Sequence, residues 1–322
     1  MTVLLKTENL KKYYRAKNHK AAGKKNGLLR AVDGVSFEIE KGTVFGVVGE
    51  SGSGKSTIGR CILNLTRPTA GNTFYEGVNL GACGKKEWAA LQRKMQVIFQ
   101  NPYSSFNPLM TIGQSLQEVG RVHRMEKREI GERIAWLLEG IELPLDSLSR
   151  KPQELSGGQL QRFAIARSLV LKPDFILADE PVSALDVSVQ AHVLNLLLSF
   201  KEKLGLTILF ISHELAVVEH VCDTVAVVYL GKIMEIAPVD DLFGRMKHPY
   251  SRALISAKPK EHPLQNKERI LLKGSPQDAL DPPSGCRFAP RCPSRFGELC
   301  EKEVPVLKQV GNAHYAACHL YS

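Results

Sequence analysis

A glycine-rich stretch between a hydrophobic segment and a helix has the residue types and spacing to bind phosphate. Its sequence, Gly49-Glu50-Ser51-Gly52-Ser53-Gly54-Lys55-Ser56-Thr57, fits the pattern G-x-x-x-x-G-K-[ST]. In such a loop the glycines let successive backbone N–H groups point into one concavity, and the next helix places its positive end there. The pattern predicts a nucleotide site, with Lys55 on the β- and γ-phosphates and Ser56 on Mg²⁺.

Two acidic residues follow a second hydrophobic strand. Residues 175–178 are apolar and lead directly into Asp179 and Glu180. A carboxylate at the end of such a strand suits the coordination shell of Mg²⁺, and its neighbour can orient and deprotonate an attacking water. An Asp-Glu pair alone is common on protein surfaces, so its meaning depends on the phosphate loop upstream.

A third motif, Leu155-Ser156-Gly157-Gly158-Gln159, predicts a second cradle for a γ-phosphate. Ser156 is suited to cap the N-terminus of the helix that follows. The two glycines leave backbone N–H groups open, and the helix dipole favours an anion there. An ordinary capped helix would look the same, but it would not be expected together with the other two motifs.

These motifs resemble those of the ATP-binding cassette (ABC) ATPases over about residues 3–240, and the Leu-Ser-Gly-Gly-Gln signature is the specific part. The resemblance implies ATP hydrolysis with Mg²⁺. It implies that Tyr14 stacks on adenine, with Tyr13 as the second candidate. It further implies that Gln100 senses the γ-phosphate and binds Mg²⁺, and that His213 contacts the γ-phosphate.

The same resemblance implies a paired arrangement of two cassettes, head to tail. ATP then lies between one chain's phosphate loop and the partner's signature, and residues 183–186 contact the opposing subunit. No motif is degraded, so an active site is expected. We also expect the phosphate site to be built entirely upstream of residue 220.

The elements that must position these motifs alternate between strands and helices, which predicts an α/β fold with a largely parallel sheet. The fold implied by the resemblance is a P-loop NTPase ABC cassette. Residues 1–244 are predicted to form the nucleotide-binding domain, with an inserted helical subdomain at about 101–171. Residues 15–30 are basic and without periodicity, and we interpret them as a flexible loop.

After residue 244 the sequence becomes rich in proline and loses its periodicity, which indicates a small irregular extension over 245–322. His248-Pro249-Tyr250, Pro282-Pro-Ser-Gly-Cys286-Arg-Phe and Arg291-Cys292-Pro293 resemble the C-terminal extension of oligopeptide/dipeptide importer ATPases. The basic insertion at 15–30 resembles the second of the two non-identical ATPases that such importers carry.

Four of the seven cysteines, Cys286, Cys292, Cys300 and Cys318, lie in this extension with the spacing C-x5-C-x7-C-x17-C. In a reducing compartment such clustering favours a metal over disulfides. The spacing is neither a tight zinc-ribbon pattern nor a ferredoxin run. A [4Fe–4S] cluster that staples the tail is implied by the resemblance; zinc and four free buried thiols are the alternatives.

The composition is that of a globular protein, with no apolar run of the roughly 18 residues needed to span a bilayer and no signal-peptide pattern. The net charge of +10 permits a nucleic-acid partner, but no helix with a recognition face accompanies the basic N-terminal stretch. We therefore expect no nucleic-acid partner and a cytoplasmic location, and the resemblance implies that the chain is peripheral, at the cytoplasmic face of the cell membrane.

The resemblance implies a second, non-identical ATPase, two transmembrane permease subunits and, indirectly, a solute-binding protein as partners. The predicted function is ATP-driven import of a solute, with oligopeptides or dipeptides favoured and the solute itself not readable from this chain. The alternative is a soluble ABC ATPase acting on nucleic acid or ribosomes. Relatives of that kind carry two cassettes or long coiled-coil inserts, and neither is present here.

Overall fold

The computed structural model of the protein describes residues 2–17, 26–257, 270–272, 274, 279–280 and 282–321. These residues form two compact units that alternate along the chain. Unit 1 comprises Met1–Thr2, Glu40–Val44 and Ala82–Ile211, and unit 2 comprises Val3–Ile39, Phe45–Gly81 and Ser212–Ser322. The predicted domain boundaries, at residue 244 and around 101–171, stay a prediction.

Unit 1 contains three parallel strands, in the order β8-β7-β6, and five helices. Its elements in chain order are α2 (Lys85–Lys94), β6 (Met95–Ile98), α3 (Ile112–Val122), α4 (Lys127–Gly140), α5 (Gly157–Leu169), β7 (Phe175–Asp179), α6 (Val187–Leu204) and β8 (Thr207–Ile211). Strands β7 and β8 are buried along their whole length, as hydrophobic runs in parallel sheets are. The helices α3, α4 and α5 all fall between β6 and β7.

Unit 2 contains two sets of strands. An antiparallel sheet of order β2-β1-β4-β5 is formed by β1 (Val3–Lys17), β2 (Asn26–Glu40), β4 (Ala70–Tyr75) and β5 (Val78–Asn79). A second set, of order β11-β12-β10-β9-β3, is formed by β3 (Val44–Val48), β9 (Thr224–Tyr229), β10 (Lys232–Pro238), β11 (Lys308–Gly311) and β12 (His314–Ala316). Strand β3 pairs with β9 in parallel, whereas β9 with β10, β10 with β12 and β12 with β11 are antiparallel.

The helices of unit 2 are short. They are α1 (Lys55–Ile62), α7 (Leu215–Val221), α8 (Val239–Arg245), α9 (Pro249–Ser256) and α10 (Leu299–Lys302). The mixture of parallel strands and helices confirms the predicted α/β fold. The extension contributes more than the composition suggested, because β12 pairs with β10 and brings β11 with it.

The interpretation of residues 15–30 as a flexible loop is wrong at both ends. Strand β1 extends to Lys17, and β2 begins at Asn26. Strand β1 is held by pairing with β4 as far as the partners Lys11 and Ala70. Exposed strands on a sheet need no hydrophobic periodicity, because backbone hydrogen bonds hold them, and this is why the basic sequence concealed them. Residues 18–25 lie outside the described residues.

Candidate functional site

The phosphate loop closes so tightly against its surroundings that two of its glycines cannot be replaced. Gly49 has a φ of 154°, and a Cβ atom there would lie 2.1 Å from the carbonyl oxygen of Val228. Gly54 has a φ of 102°, and its Cβ would lie 2.0 Å from the carbonyl oxygen of Ala31. Only glycine fits where backbones approach this closely. These close contacts restrict the backbone conformation of the loop, and with it the direction of its N–H groups.

The side chains of this loop fit a phosphate ligand. Lys55 is 5% exposed, and its Nζ donates to the carbonyl oxygens of Gly49 at 2.8 Å and Glu50 at 3.0 Å. The hydroxyl of Ser53 is buried and has no hydrogen-bond partner among the described residues. Gly54 caps α1 without a side-chain bond, and the positive end of the helix dipole lies at this loop, which favours an anion. Ser56 and Thr57 lie half-buried in the first turn of α1, and Ser51 and Gly52 are exposed.

The two candidate adenine-stacking residues, Tyr13 and Tyr14, differ in solvent exposure and in hydrogen bonding. Tyr13 is half-buried, and its hydroxyl donates a hydrogen bond to Asp33. Burial and this bond to Asp33 raise the pKa of Tyr13 to about 12. Tyr14 is 38% exposed, and Nζ of Lys12 lies 5.0 Å from its ring centre. Tyr14 is the more exposed of the two rings, and its stacking on adenine stays a prediction.

In unit 1, Asp179 and Glu180 end strand β7 in different environments. Asp179 is 5% exposed, whereas Glu180 is half-buried and has a φ of 50°, which is uncommon for a residue with a side chain. The Glu180 N–H donates to the carbonyl oxygen of Ile211 at 2.9 Å, which fixes the turn. A positive φ at a residue with a side chain is a source of backbone strain, and such strain clusters at functional sites.

Gln100 and Glu180 are brought together by the structure. The Nε2 of Gln100 donates to Oε2 of Glu180 at 3.0 Å and lies 3.3 Å from Oγ of Ser183. Ser183 in turn donates to the carbonyl oxygen of Glu180 at 3.1 Å. The glutamine predicted to sense the γ-phosphate is therefore hydrogen-bonded to the predicted general base.

The signature residues form the first turn of α5 as a capping box. The Oγ of Ser156 accepts from the N–H of Gln159 at 3.3 Å, and Oε1 of Gln159 accepts from the N–H of Ser156 at 3.1 Å. A Cβ on Gly158 would lie 2.5 Å from Val189, so this glycine is needed for helix packing. Gly157 is exposed and, with Gln100, lines a cavity of about 420 Å³.

His213 lies exposed between β8 and α7 in unit 2. It follows Ser212, whose Oγ accepts from the N–H of Glu214 at 3.0 Å and so closes a short turn at this point. This turn places His213 at the end of a fully buried strand, as the sequence predicts. The roles assigned to the individual residues stay predictions.

Residues of the extension support the phosphate loop, so the expectation that the site is built upstream of residue 220 is wrong. The hydroxyl of Tyr250 accepts from the N–H of Glu50 at 2.9 Å. The Nη1 of Arg291 donates to both carboxylate oxygens of Glu50, at 2.9 and 3.1 Å. Tyr250 and Arg291 lie in segments that resemble the extension of importer ATPases, but nothing local to these segments indicates a partner so distant in the chain.

The four cysteines of the extension are free thiols whose sulfurs all receive backbone hydrogen bonds. The donors are the N–H groups of Phe288 to Cys286, Ser294 to Cys292, Phe296 to Cys300 and Leu320 to Cys318. Burial raises the pKa of Cys286, and the other three cysteines act in the same direction, to a value of about 11.

Hydrogen bonds from N–H groups to sulfur are what a thiolate-bound metal would need. Yet in the described part of the chain no three His, Cys, Asp or Glu side chains are grouped so that they could hold a metal ion. The donor chemistry fits the predicted cluster and the spacing of the side chains does not, so the iron–sulfur prediction is not confirmed. No helix among the described residues is long and apolar enough to cross a membrane.

Comparison with known proteins connects these features to one group. A family model described as ABC transporter matches residues 32–183, and one described as oligopeptide/dipeptide transporter, C-terminal region, matches residues 234–300. A protein of Brucella ovis, whose name assigns it to peptide import as an ATP-binding protein, is 48% identical over 318 residues, which cover 98% of each chain. The dipeptide transport ATP-binding protein DppF of Haemophilus influenzae is 43% identical over 318 residues, covering 98% of this chain and 96% of DppF.

A solved structure shares the fold. The ATP-binding cassette MJ0796, in a dimeric post-hydrolysis state bound to ADP and Pi, superposes with a TM-score of 0.64 at 28% identity. The match covers 73% of this chain and 99% of MJ0796. The chain is thus similar to an ATPase cassette over most of its length and to peptide importers over nearly all of it.

Proposed function

This chain belongs to the ATP-binding proteins of the ABC transporter family, and we propose that it hydrolyses ATP to drive the import of oligopeptides or dipeptides through partner membrane subunits. The observation that carries the proposal is that its similarity to peptide-import proteins extends through the C-terminal extension. A cassette alone would indicate ATP hydrolysis. The extension is the part that distinguishes peptide importers within the family.

For ATP binding, we assign the phosphates to the loop from Gly49 to Thr57 and the adenine to Tyr14. The Lys55 ammonium opposes the charge of the β- and γ-phosphates, and the backbone N–H groups and the Ser53 hydroxyl donate to phosphate oxygens. Ser56, Gln100 and Asp179 would hold Mg²⁺, which supplies positive charge to the phosphate oxygens. The unpartnered hydroxyl of Ser53 supports this assignment.

For hydrolysis, we assign Glu180 as the base that orients and deprotonates the attacking water. Its carboxylate accepts a hydrogen bond from Gln100, so the same glutamine that is predicted to sense the γ-phosphate also controls the base. His213 is assigned to the γ-phosphate. In each case the chain's contribution is to position charge and to accept a proton, which is where most catalysis of phosphoryl transfer comes from.

For assembly, we propose that two cassettes pair so that Ser156, Gly157, Gly158 and Gln159 of one chain complete the site of the other. The dimeric state of MJ0796 supports a paired arrangement. We propose a non-identical second ATPase, two transmembrane permeases and, indirectly, a solute-binding protein as the remaining partners. The chain would then be a peripheral protein on the cytoplasmic face of the membrane.

The alternative function, action on nucleic acid or ribosomes, finds no support in these similarities, because the relatives described above are named for peptide import and dipeptide transport. Co-purification distinguishes the two functions directly. Integral membrane subunits in a pull-down support import, whereas co-purified nucleic acid supports the alternative.

We keep a [4Fe–4S] cluster on Cys286, Cys292, Cys300 and Cys318 as a proposal, supported by the hydrogen bonds to all four sulfurs. Its role would be structural. Anaerobically purified protein should be brown and contain about four irons per chain. Stoichiometric zinc would assign the site to the other metal, and four titratable thiols without metal would remove the proposal.

The experiment that tests the function is Glu180→Gln in the assembled transporter. The variant should bind ATP, because binding uses the phosphate loop, and should accumulate as a nucleotide-bound dimer without turnover. Wild-type transporter provides the control for assembly. Substantial peptide transport by the variant, with the other ATPase inactivated, would contradict the assignment.

A further inference from the structure

The C-terminal extension bonds directly to one end of the phosphate loop and is connected to the other end through intervening hydrogen bonds. At the first end, Glu50 donates its N–H to the Tyr250 hydroxyl at 2.9 Å, and its carboxylate accepts from Arg291 at 2.9 and 3.1 Å. Tyr250 is fully buried, and the side chain of Arg291 is only 8% exposed. A charge-assisted contact that is largely shielded from water is stronger than a surface ion pair.

The two residues that hold Glu50 are themselves fixed by aromatic packing. The ring of Tyr250 lies 4.7 Å from that of Tyr229 and 5.2 Å from that of Phe288, between centroids. Arg291 donates to the Tyr229 hydroxyl at 3.2 Å and lies 5.8 Å from the centre of that ring. Neither side chain can leave Glu50 without disturbing this cluster, so the contact is rigid.

At the second end, the path from the extension runs through Arg287. Its buried guanidinium donates to the Asp33 carboxylate and to the carbonyl oxygen of Leu230. The N–H of Asp33 donates to the carbonyl oxygen of Gly231 at 2.8 Å, and the N–H of Gly231 donates to that of Ser53 at 2.8 Å. Burial raises the pKa of Asp33, but the Tyr13 hydrogen bond and the Arg287 charge lower it below its usual value overall.

The negative charge of Glu50 is paired with the guanidinium of Arg291 in these contacts. Glu50 places a carboxylate in a loop that must accept the negative charge of the phosphates, and like charges at such distances repel. Burial lowers the pKa of Arg291, but its bonds to Glu50 and Tyr229 raise it overall, so the guanidinium stays charged. It neutralises Glu50 and holds that carboxylate in one position.

We propose that Arg291 and Tyr250 are positioning residues for ATP, through which the extension sets the affinity of the phosphate loop for nucleotide. The inference rests on the proposed ATP binding and deepens it. Pre-organised donors bind an anion more tightly than donors that must be ordered on binding. The extension therefore contributes to the nucleotide site itself, in addition to any role in assembly.

The test is a titration of the full-length chain with ATP and Mg²⁺, using Arg291→Ala, Tyr250→Phe and the double variant Arg291→Ala/Glu50→Gln. Arg291→Ala should weaken ATP binding about tenfold, because Glu50 is then unpaired. Tyr250→Phe keeps the ring and should weaken binding about threefold. The added Glu50→Gln should recover most of the affinity, because it removes the repelling charge.

Arg295→Ala is the matched control, since Arg295 lies in the same extension, pairs with Glu301 and is half-exposed. It should bind ATP as the wild type does. Recovery by Glu50→Gln is a result that a merely structural role of Arg291 would not produce. Equal affinity of Arg291→Ala and wild type, or a loss that Glu50→Gln leaves unchanged, would overturn the inference. Absence of ATP binding by the wild-type chain would instead remove the proposed function.

Discussion

The phosphate loop and the signature turn are both predicted to bind nucleotide phosphates, the loop those of its own chain's ATP and the signature those of the partner's, yet they are held in opposite ways. The signature turn is closed by hydrogen bonds between residues three apart, Ser156 and Gln159. In the phosphate loop, Glu50 is held by partners 200 and 241 positions away, Tyr250 and Arg291. The geometry of the signature turn is therefore set by residues of the motif itself. The geometry of the phosphate loop depends on tertiary contacts, so it should be sensitive to changes far from the loop.

The largest effect should come from breaking the anchor of the extension itself, which makes Glu235→Ala the strongest test of this difference. The carboxylate of Glu235 is fully buried and accepts from the N–H groups of Lys247 and His248, at 2.7 and 2.9 Å, and bonds Nε2 of His314 at 2.6 Å. Its removal leaves buried polar groups unpaired, so we expect a loss of about 3–5 kcal/mol in the free energy of unfolding.

Urea denaturation of the full-length chain measures this loss, and ATP titration below the unfolding range measures its consequence for the loop. Glu298→Ala is the control, because Glu298 forms an exposed ion pair with Lys302 and should cost only a few tenths of a kcal/mol. ATP affinity unchanged in Glu235→Ala, despite the loss of stability, would show that the loop does not depend on the docking of the extension.

The next effect is that of Lys55→Ala within the loop. Lys55 provides the point charge that faces the β- and γ-phosphates, and its Nζ also bonds the carbonyl oxygens of Gly49 and Glu50. We expect ATP affinity to fall at least about 100-fold. Fluorescence titration with an ATP analogue checks this, and an affinity within a few-fold of wild type would contradict the assignment.

Acid should weaken the extension through His248, which caps α9 directly before Tyr250. Its Nδ1 accepts from the N–H of Tyr250 at 3.0 Å. Complete burial is the main cause that lowers the pKa of His248, to about 3; the nearby charge of Arg252 acts in the same direction, and a hydrogen bond with the backbone of Ala317 opposes both. Above about pH 6.5 the imidazole is neutral in both the folded and the unfolded chain, so it adds no pH dependence there.

Below that pH the unfolded chain binds a proton that the folded chain does not, so stability should fall by up to about 1.4 kcal/mol per pH unit. His248→Asn keeps a capping acceptor but cannot titrate in this range. Denaturation at pH 7.0 and pH 5.5 should show a smaller acid loss for the variant than for wild type. Equal losses would mean that other groups cause the acid sensitivity.

The sequence predicts the motifs and most elements because their information is local. The hydrophobic run before Asp179 predicts a buried strand, and Ser156 predicts a capped helix start, and the structure contains both. The contacts of Arg287 and Arg291 could not be predicted in this way. Their partners, Asp33 and Glu50, are 254 and 241 positions away, and no periodicity or spacing relates such distant residues.

The extension likewise contains structure that its own sequence does not predict. Its proline content predicts irregular structure, and prolines do interrupt it, yet His314–Ala316 pairs with Glu235 and Ile236 of β10. Pairing at the edge of an existing sheet needs only a short segment, because the neighbouring strand supplies the hydrogen-bond partners. The composition of a segment indicates how much apolar surface it can bury by itself. It does not indicate which hydrogen-bond partners a distant strand will supply.

The smallest effect should come from Ser156→Ala, because the signature turn depends only on its own residues. Loss of the capping hydroxyl should cost about 1 kcal/mol and should be confined to the first turn of α5. Hydrogen exchange of the amides at 157–160 should show it.

The isolated chain should bind ATP as before, since the signature is proposed to act on the nucleotide of a partner chain. Turnover in the assembled transporter should fall, because the partner's site lacks a donor. A drop in the ATP affinity of the isolated chain would mean that the signature turn supports its own chain's nucleotide. The difference between a turn held by its own residues and a loop held by distant residues would then need another explanation.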